Sequence, residues 1–215
     1  MSRLYLSFFK RALDLSLSIG GLVLALPLLV VCSIAIKLDS PGPSLFRQIR
    51  IGRHGQPFVI FKFRTMVASS GASGSKITAS GDPRVTRIGR WLRATKLDEV
   101  PQLFNVLRGD MSLVGPRPEL PEYVAGYSPN QKRILEFKPG ITGPASLGFI
   151  REEELLADQA NPDLFYRYSI LPRKLALDLA YCTEASFGHD LRLLLLTVVR
   201  VLSHGENNSQ LADLT

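Results

Sequence analysis

The stretch LDEVPQLFNVLRGDMSLVGPRP, residues 97–118, sets two adjacent carboxylates ahead of an apolar helix, then a glycine turn, then an arginine locked between two prolines. Pro101 marks the helix start, because proline is tolerated in a first turn, where its missing N–H has no partner anyway. The helix is therefore expected to begin around Asp98, at or near the N-cap. There the helix dipole and free backbone N–H groups hold a carboxylate ionised. The same N–H groups attract phosphate. Taken alone, the dyad also fits an ordinary cap followed by a solvated first-turn charge. Gly109 is the expected C-terminal stop, with Asn105, Arg108 and Asp110 closing the helix. Arg117 has its backbone restricted by Pro116 and Pro118. A preset position suits an arginine that grips a phosphate bidentately, and equally a proline-rich connector with an incidental arginine.

Upstream, residues 15–36 carry no charged side chain. As a straight helix they reach roughly 33 Å, against a bilayer core of about 30 Å. A cleaved signal peptide does not fit, since the run is long and no small-residue cleavage site follows. A buried helix of a soluble protein is usually shorter. Residues 15–36 are therefore read as a membrane segment. Pro27 sits mid-run, where it removes a hydrogen bond and favours a bend. Basic residues flank both ends: Arg3, Lys10 and Arg11 before, Lys37, Arg47, Arg50 and Arg53 after. A spanning helix carries unequal positive charge at its two ends. A helix–break–helix that enters and leaves by one leaflet satisfies both flanks, and a single span is the alternative.

Residues 39–43 form a turn, and 46–66 alternate as a hairpin, with 52–56 as its turn. Lys62 and Arg64 are placed on one strand face by the period of two; that face is either a solvated surface or an electropositive floor. The Gly- and Ser-rich residues 68–81 are a loop, a linker or a lid, and Lys76 lacks the glycine spacing of a P-loop. Arg84, Arg87, Arg90 and Arg93 recur every three residues beside Trp91, as on a solvated or membrane-surface helix face. Further on, 120–137 read as a helix with Tyr123, Tyr127 and Leu135 packing. Residues 151–158 read as a solvated acidic helix start. The apolar run 191–201, interrupted by Arg192 and Arg200, is too short to span and suits the interface or packing.

A chain of 215 residues is one domain, or one domain plus an anchor. The net charge of +7 suits phosphate-rich partners. Nucleic acid is disfavoured, because there is no zinc-finger spacing, aromatic RNA motif or basic arm on a heptad repeat. The two cysteines, Cys32 and Cys182, stand apart and form neither a metal pair nor a disulfide framework. Three classes use such residues: an anchored binding protein with a basic face, a diphosphate hydrolase activating water, and a basic nucleic-acid binder.

Four strings in register, KFRTM (62–66), DPRVTRIGR (82–90), residues 97–118 and KPGITG (138–143), resemble the small monotopic phosphoglycosyl transferases of the bacterial sugar transferase family. The resemblance runs from about residue 10 to about residue 202. It implies an α-rich α/β fold: a re-entrant membrane anchor (1–40), a small cytosolic catalytic domain with interfacial amphipathic helices (41–203) and a polar tail (204–215). It implies transfer of a sugar 1-phosphate from a UDP-sugar to polyprenol phosphate, leaving UMP, on the cytoplasmic face of the bacterial inner membrane. Asp98 is then the nucleophile that forms an aspartyl-phosphosugar intermediate, with Glu99 as metal ligand or orienting carboxylate and both carboxylates available to Mg²⁺. Arg93, five residues before Asp98, matches the family's phosphate-binding arginine, and Arg117, Lys62 and Arg64 join it as substrate-binding candidates. The implied partners are the UDP-sugar, polyprenol phosphate and inner-membrane lipid, with no nucleic acid; a homodimer is left open. Two departures stand out. Leu26 precedes Pro27 where serine is common, and Pro144-Ala145-Ser146-Leu147-Gly148-Phe149 replaces the commonest Trp-Ala-Gln continuation, which leaves the sugar open.

Overall fold

The computed structural model describes residues 8–67 and 77–203. Residues 68–76 of the expected loop and the expected polar tail lie outside them. Among the described residues one helix, α1 (Lys10–Asp39), is long and apolar enough to cross a membrane. Its Val23, Leu24, Val30, Val31, Ile34 and Leu38 are exposed, an arrangement suited to lipid. The helix runs on through Pro27 where the sequence suggested a break. Losing one N–H bond bends a helix without necessarily ending it.

Both ends of α1 are tied to the same body. Near its start Arg11 donates to the carbonyls of Val106 (2.6 Å) and Leu107 (3.0 Å), and the buried Asp14 accepts from Ser112 Oγ and Leu113 N. Lys10 pairs with Asp190. At the far end Asp39 accepts from Ile88 N at 2.9 Å. Cys32 and Ile36 there pack with Phe63 and Leu92 in a small apolar cluster.

The hairpin is found where alternation placed it: β1 (Leu45–Ile51) pairs antiparallel with β2 (Pro57–Phe63). Thr86 then caps α2 (Arg87–Ala94) by accepting from Gly89 N. A 3₁₀ turn, Leu97–Gln102, leads into α3 (Leu103–Arg108). The chain leaves α3 through Gly109, whose φ of 90° lies in the left-handed region that glycine enters without strain. Asn105, fully buried, docks α3 onto β2: its amide donates to Val59 O at 2.7 Å and its oxygen accepts from Phe61 N at 3.0 Å. Next, β3 (Ser112–Val114) pairs parallel with β4 (Gly140–Thr142). At Gly140 an added Cβ would strike the backbone of Gly115, so the approach that sets the Pro116–Pro118 segment beside β4 requires glycine there.

The helix expected over 120–137 is broken into α4 (Pro121–Val124) and a 3₁₀ turn, Gln131–Glu136. Gly126 and Pro129 interrupt it. Ser128 and Gln131 start the second piece with a reciprocal cap, each side chain accepting from the other's backbone N–H. The remaining elements are α5 (Pro144–Gly148), α6 (Glu152–Ala157), α7 (Pro162–Phe165), a π turn (Tyr166–Ile170), α8 (Leu171–Glu184) and α9 (Phe187–Leu202). The main core gathers Val106, Met111, Val114, Tyr123, Tyr166, Leu175 and Tyr181. The described fold is thus helix-rich with two two-stranded sheets, while α9 leaves Leu191, Leu195, Val198 and Val199 exposed.

Candidate active site

The dyad sits on the 3₁₀ turn that packs against β2. Lys96, in the left-handed region at φ 56°, stands at the N-cap position. The turn thus starts within one residue of the expected place, but Lys96 and not Asp98 is the cap: Asp98 lies in the first turn, and its Oδ1 is buried with no hydrogen-bond partner. The electrostatic expectation reverses with it. Burial first, and then the charge of Glu99, push the Asp98 carboxyl up to about 6, against the pull of Lys62, Lys96 and Arg93. A carboxylate solvated by cap N–H groups would shift the other way.

Glu99 has the opposite environment. Its Oε1 accepts from Lys62 Nζ at 2.8 Å and from Arg117 Nη2 at 2.9 Å. Burial alone would raise its carboxyl, but the two cations outweigh it and hold it well below the usual range. Glu99 in turn raises Arg117 above its ordinary value. Burial depresses Lys62, with Glu99 opposing. Neighbouring carboxylates pushed apart in this way divide the work of a site. One stays ionised as an anchor, and the other keeps a proton affinity near neutrality.

Arg93 comes to the same site from α2. Its Nε donates to Thr65 Oγ1 at 2.9 Å and its Nη1 to Glu153 Oε1 at 2.8 Å. The arginine stripe divides: Arg87 and Arg90 are exposed beside Trp91, while Arg84, ahead of the helix, is paired with Asp82. Arg64 does not join the site. Strand β2 ends at Phe63, and the Arg64 guanidinium turns to the carbonyls of Ile36, Ser40 and Pro41, closing the end of α1. The shared face expected for Lys62 and Arg64 is therefore not formed.

Two groups escaped sequence reasoning. The acidic start of α6, expected to be solvated, is engaged: Glu153 holds Arg93, and Glu152 accepts from Lys174 Nζ at 2.9 Å. Behind Arg117, the buried Glu119 meets Tyr166 and Lys174. Asp178, 3 % exposed, accepts the backbone N–H of Arg117 at 3.1 Å. Lys174 and Asp178 are spaced four apart on the face that carries Leu171, Leu175 and Cys182. Charges of both signs on an apolar helix face were the signal that could have found them.

For a divalent cation the described residues offer no group of three or more ligating side chains. They do offer the unpartnered Asp98 Oδ1 next to Glu99, whose contacts with Lys62 and Arg117 both fall on Oε1. One or two carboxylates beside phosphate oxygens and water are what Mg²⁺ takes, so the donor set fits that ion.

A family model described as bacterial sugar transferase matches residues 5–204. The undecaprenyl-phosphate glucose phosphotransferase of Komagataeibacter xylinus is 43 % identical over 198 residues, 89 % of this chain and 35 % of that protein. The UDP-glucose:undecaprenyl-phosphate glucose-1-phosphate transferase of Caulobacter vibrioides is 38 % identical over 206 residues, 94 % of this chain and 73 % of that protein. A UDP-N-acetylgalactosamine-undecaprenyl-phosphate N-acetylgalactosaminephosphotransferase of Aeromonas hydrophila is 37 % identical over 169 residues, 74 % of this chain and 39 % of that protein. The chain thus spans about a third of the first relative's length and most of the second's.

Proposed function

Because the chain belongs to the bacterial sugar transferase family, we propose that it moves a sugar 1-phosphate from a UDP-sugar to a polyprenol phosphate, releasing UMP. The observation that carries this reading is Asp98 Oδ1, buried and unpartnered, with Lys62, Lys96 and Arg93 acting on its charge. The carboxylate oxygen attacks the sugar-bearing phosphorus. The bond from that phosphorus to the bridging oxygen breaks, and the oxygen leaves with UMP. The resulting aspartyl-phosphosugar is then attacked by an oxygen of polyprenol phosphate, which frees Asp98 and gives the polyprenyl-diphosphate sugar. One hard displacement becomes two.

The surrounding residues have separate tasks in this scheme. Glu99, held ionised, fixes Lys62 and Arg117 at the site, and Arg93 and Arg117 take phosphate oxygens. Asp98 and Glu99 would hold Mg²⁺, which when bound supplies positive charge to the phosphoryl oxygens. Relatives named for glucose and for N-acetylgalactosamine transfer leave the sugar to experiment.

Attachment of both ends of α1 to one body supports a monotopic arrangement, in which α1 enters and leaves by the cytoplasmic leaflet of the inner membrane. Lys10, Arg11 and Asp14 hold one end, and Asp39 with Arg64 the other. A soluble nucleotide sugar and a lipid phosphate then meet at the surface, and neither crosses. A panel of UDP-sugars offered with polyprenol phosphate, read as UMP released, tests the activity. Release beyond one UMP per protein that requires the lipid, and loss of all release in Asp98→Asn, are expected. Equal release without lipid, or an active Asp98→Asn variant, refutes the scheme.

A further inference from the structure

We propose that Asp178 is the positioning residue for Arg117, and that it locks the phosphate-gripping segment to the start of α5. The inference rests on the transferase reading above. Within Pro116–Arg117–Pro118 the backbone has a single N–H, that of Arg117, because proline has none. That one donor goes to Asp178 Oδ2 at 3.1 Å. The other carboxylate oxygen, Oδ1, receives the N–H of Ala145 at 3.4 Å, directly after Pro144 at the first turn of α5. One side chain from α8 thus spans two proline-rigid segments, and one of them carries the guanidinium that donates to Glu99.

The two prolines fix the local shape of the Arg117 segment but not its setting against the rest of the body. A carboxylate can supply that setting where an amide cannot. Both of its oxygens accept, and each faces an N–H; asparagine would turn an NH₂ toward one of the two donors. Asp178 is 3 % exposed, so the fold carries the cost of burying an acid there. Its partners are two backbone amides, and it makes no ion pair among the described contacts. Misplacing a substrate-gripping group by an ångström is enough to lower a rate about a hundredfold, which gives the arrangement its functional weight. Residues 144–149, tied to Arg117 in this way, are also where the sequence leaves the commonest family pattern. A change there is transmitted to the arginine through Asp178.

A double-mutant cycle on full-length protein in membranes tests this, using Asp178→Asn, Arg117→Ala and the pair, with UMP release as readout. Asp178→Asn is expected to lower kcat/KM by about tenfold or more, and to change it by less than about twofold when Arg117 is already Ala. Cys182→Ala, one turn along α8 and without a hydrogen bond to Arg117, controls for general loosening of that helix and is expected to leave kcat/KM in place. The same cycle with Asp178→Ser, small and able to accept from one donor, covers a loss of folding in Asp178→Asn. If the effects of Asp178 and Arg117 multiply in both cycles, or if neither substitution at Asp178 lowers kcat/KM, the positioning role is refuted. If wild-type protein releases no UMP from any UDP-sugar, the transferase reading itself fails.

Discussion

At the scale of the residue, the dyad shows how one sequence pair acquires two chemistries. Asp98 and Glu99 differ by one CH₂ and are adjacent, yet the first is raised to about 6 and the second held well below its usual range. The difference lies in Lys62 and Arg117, which both contact Glu99. A consequence for stability follows from the direction of the Asp98 shift. Its carboxyl binds a proton more tightly folded than unfolded, so its contribution is fully favourable below the ordinary value near 3.8 and is lost as pH rises through about 6. At pH 8 the ionised Asp98 should weaken the fold by on the order of 2–3 kcal/mol. Asp98→Asn is therefore expected to melt higher than wild type at pH 8 without added divalent cation, with the advantage vanishing below about pH 4. Thermal melts across that range check it, and a lower melting point for the variant at pH 8 would contradict the burial of Asp98.

At the scale of the element, the contact between α2 and α6 gives the proposed scheme a test at Arg93. Arg93 donates to Glu153, whose side chain is 46 % exposed, and the backbone carbonyl of Glu153 accepts from Ser80 N at 2.8 Å. In the proposed scheme Arg93 takes a substrate phosphate, and the Glu153 carboxylate would then compete for the same guanidinium. An exposed pair of this kind is worth at most about 1 kcal/mol, or roughly fivefold. Glu153→Gln is expected to lower KM for the UDP-sugar by up to that factor with kcat unchanged, the gain shrinking at high salt; steady-state kinetics at two ionic strengths check it. The same elements mark how far sequence reasoning reached. Alternation gave the hairpin, and Gly109 gave the end of α3, because both signals are local. The Ser128–Gln131 cap was also local, and it lay unread inside what looked like one helix. Glu153, Lys174 and Asp178 were not legible from the region around the dyad, since their partners are distant in the chain. The direction of the Asp98 shift depends on burial, which a helix-start motif does not encode.

At the scale of the whole molecule, the proposed scheme rests on how α1 meets lipid. Its exposed face is apolar from Val23 to Ile34, while polar anchors at both ends join it to one body. The proposed monotopic arrangement puts both ends on the same side of the bilayer, and a spanning helix would put them on opposite sides. Single cysteines at Phe9 and Pro43, in a background with Cys32 and Cys182 replaced, are expected to react with a membrane-impermeant maleimide from the same side of oriented vesicles. Reaction from opposite sides would establish a spanning helix. The dyad turn lies beside α1, with Leu97 packed against the cluster of Cys32 and Ile36 and Gly21 against Leu103 at the start of α3.

The most direct measurement joins these scales at one atom. Protein is incubated with its UDP-sugar in the absence of polyprenol phosphate, quenched and digested, and the peptide carrying Asp98 is weighed. The expected result is a gain equal to one sugar phosphate on that peptide, lost again when polyprenol phosphate is added before the quench. Sustained turnover with no adduct on Asp98 at any time would contradict the covalent route.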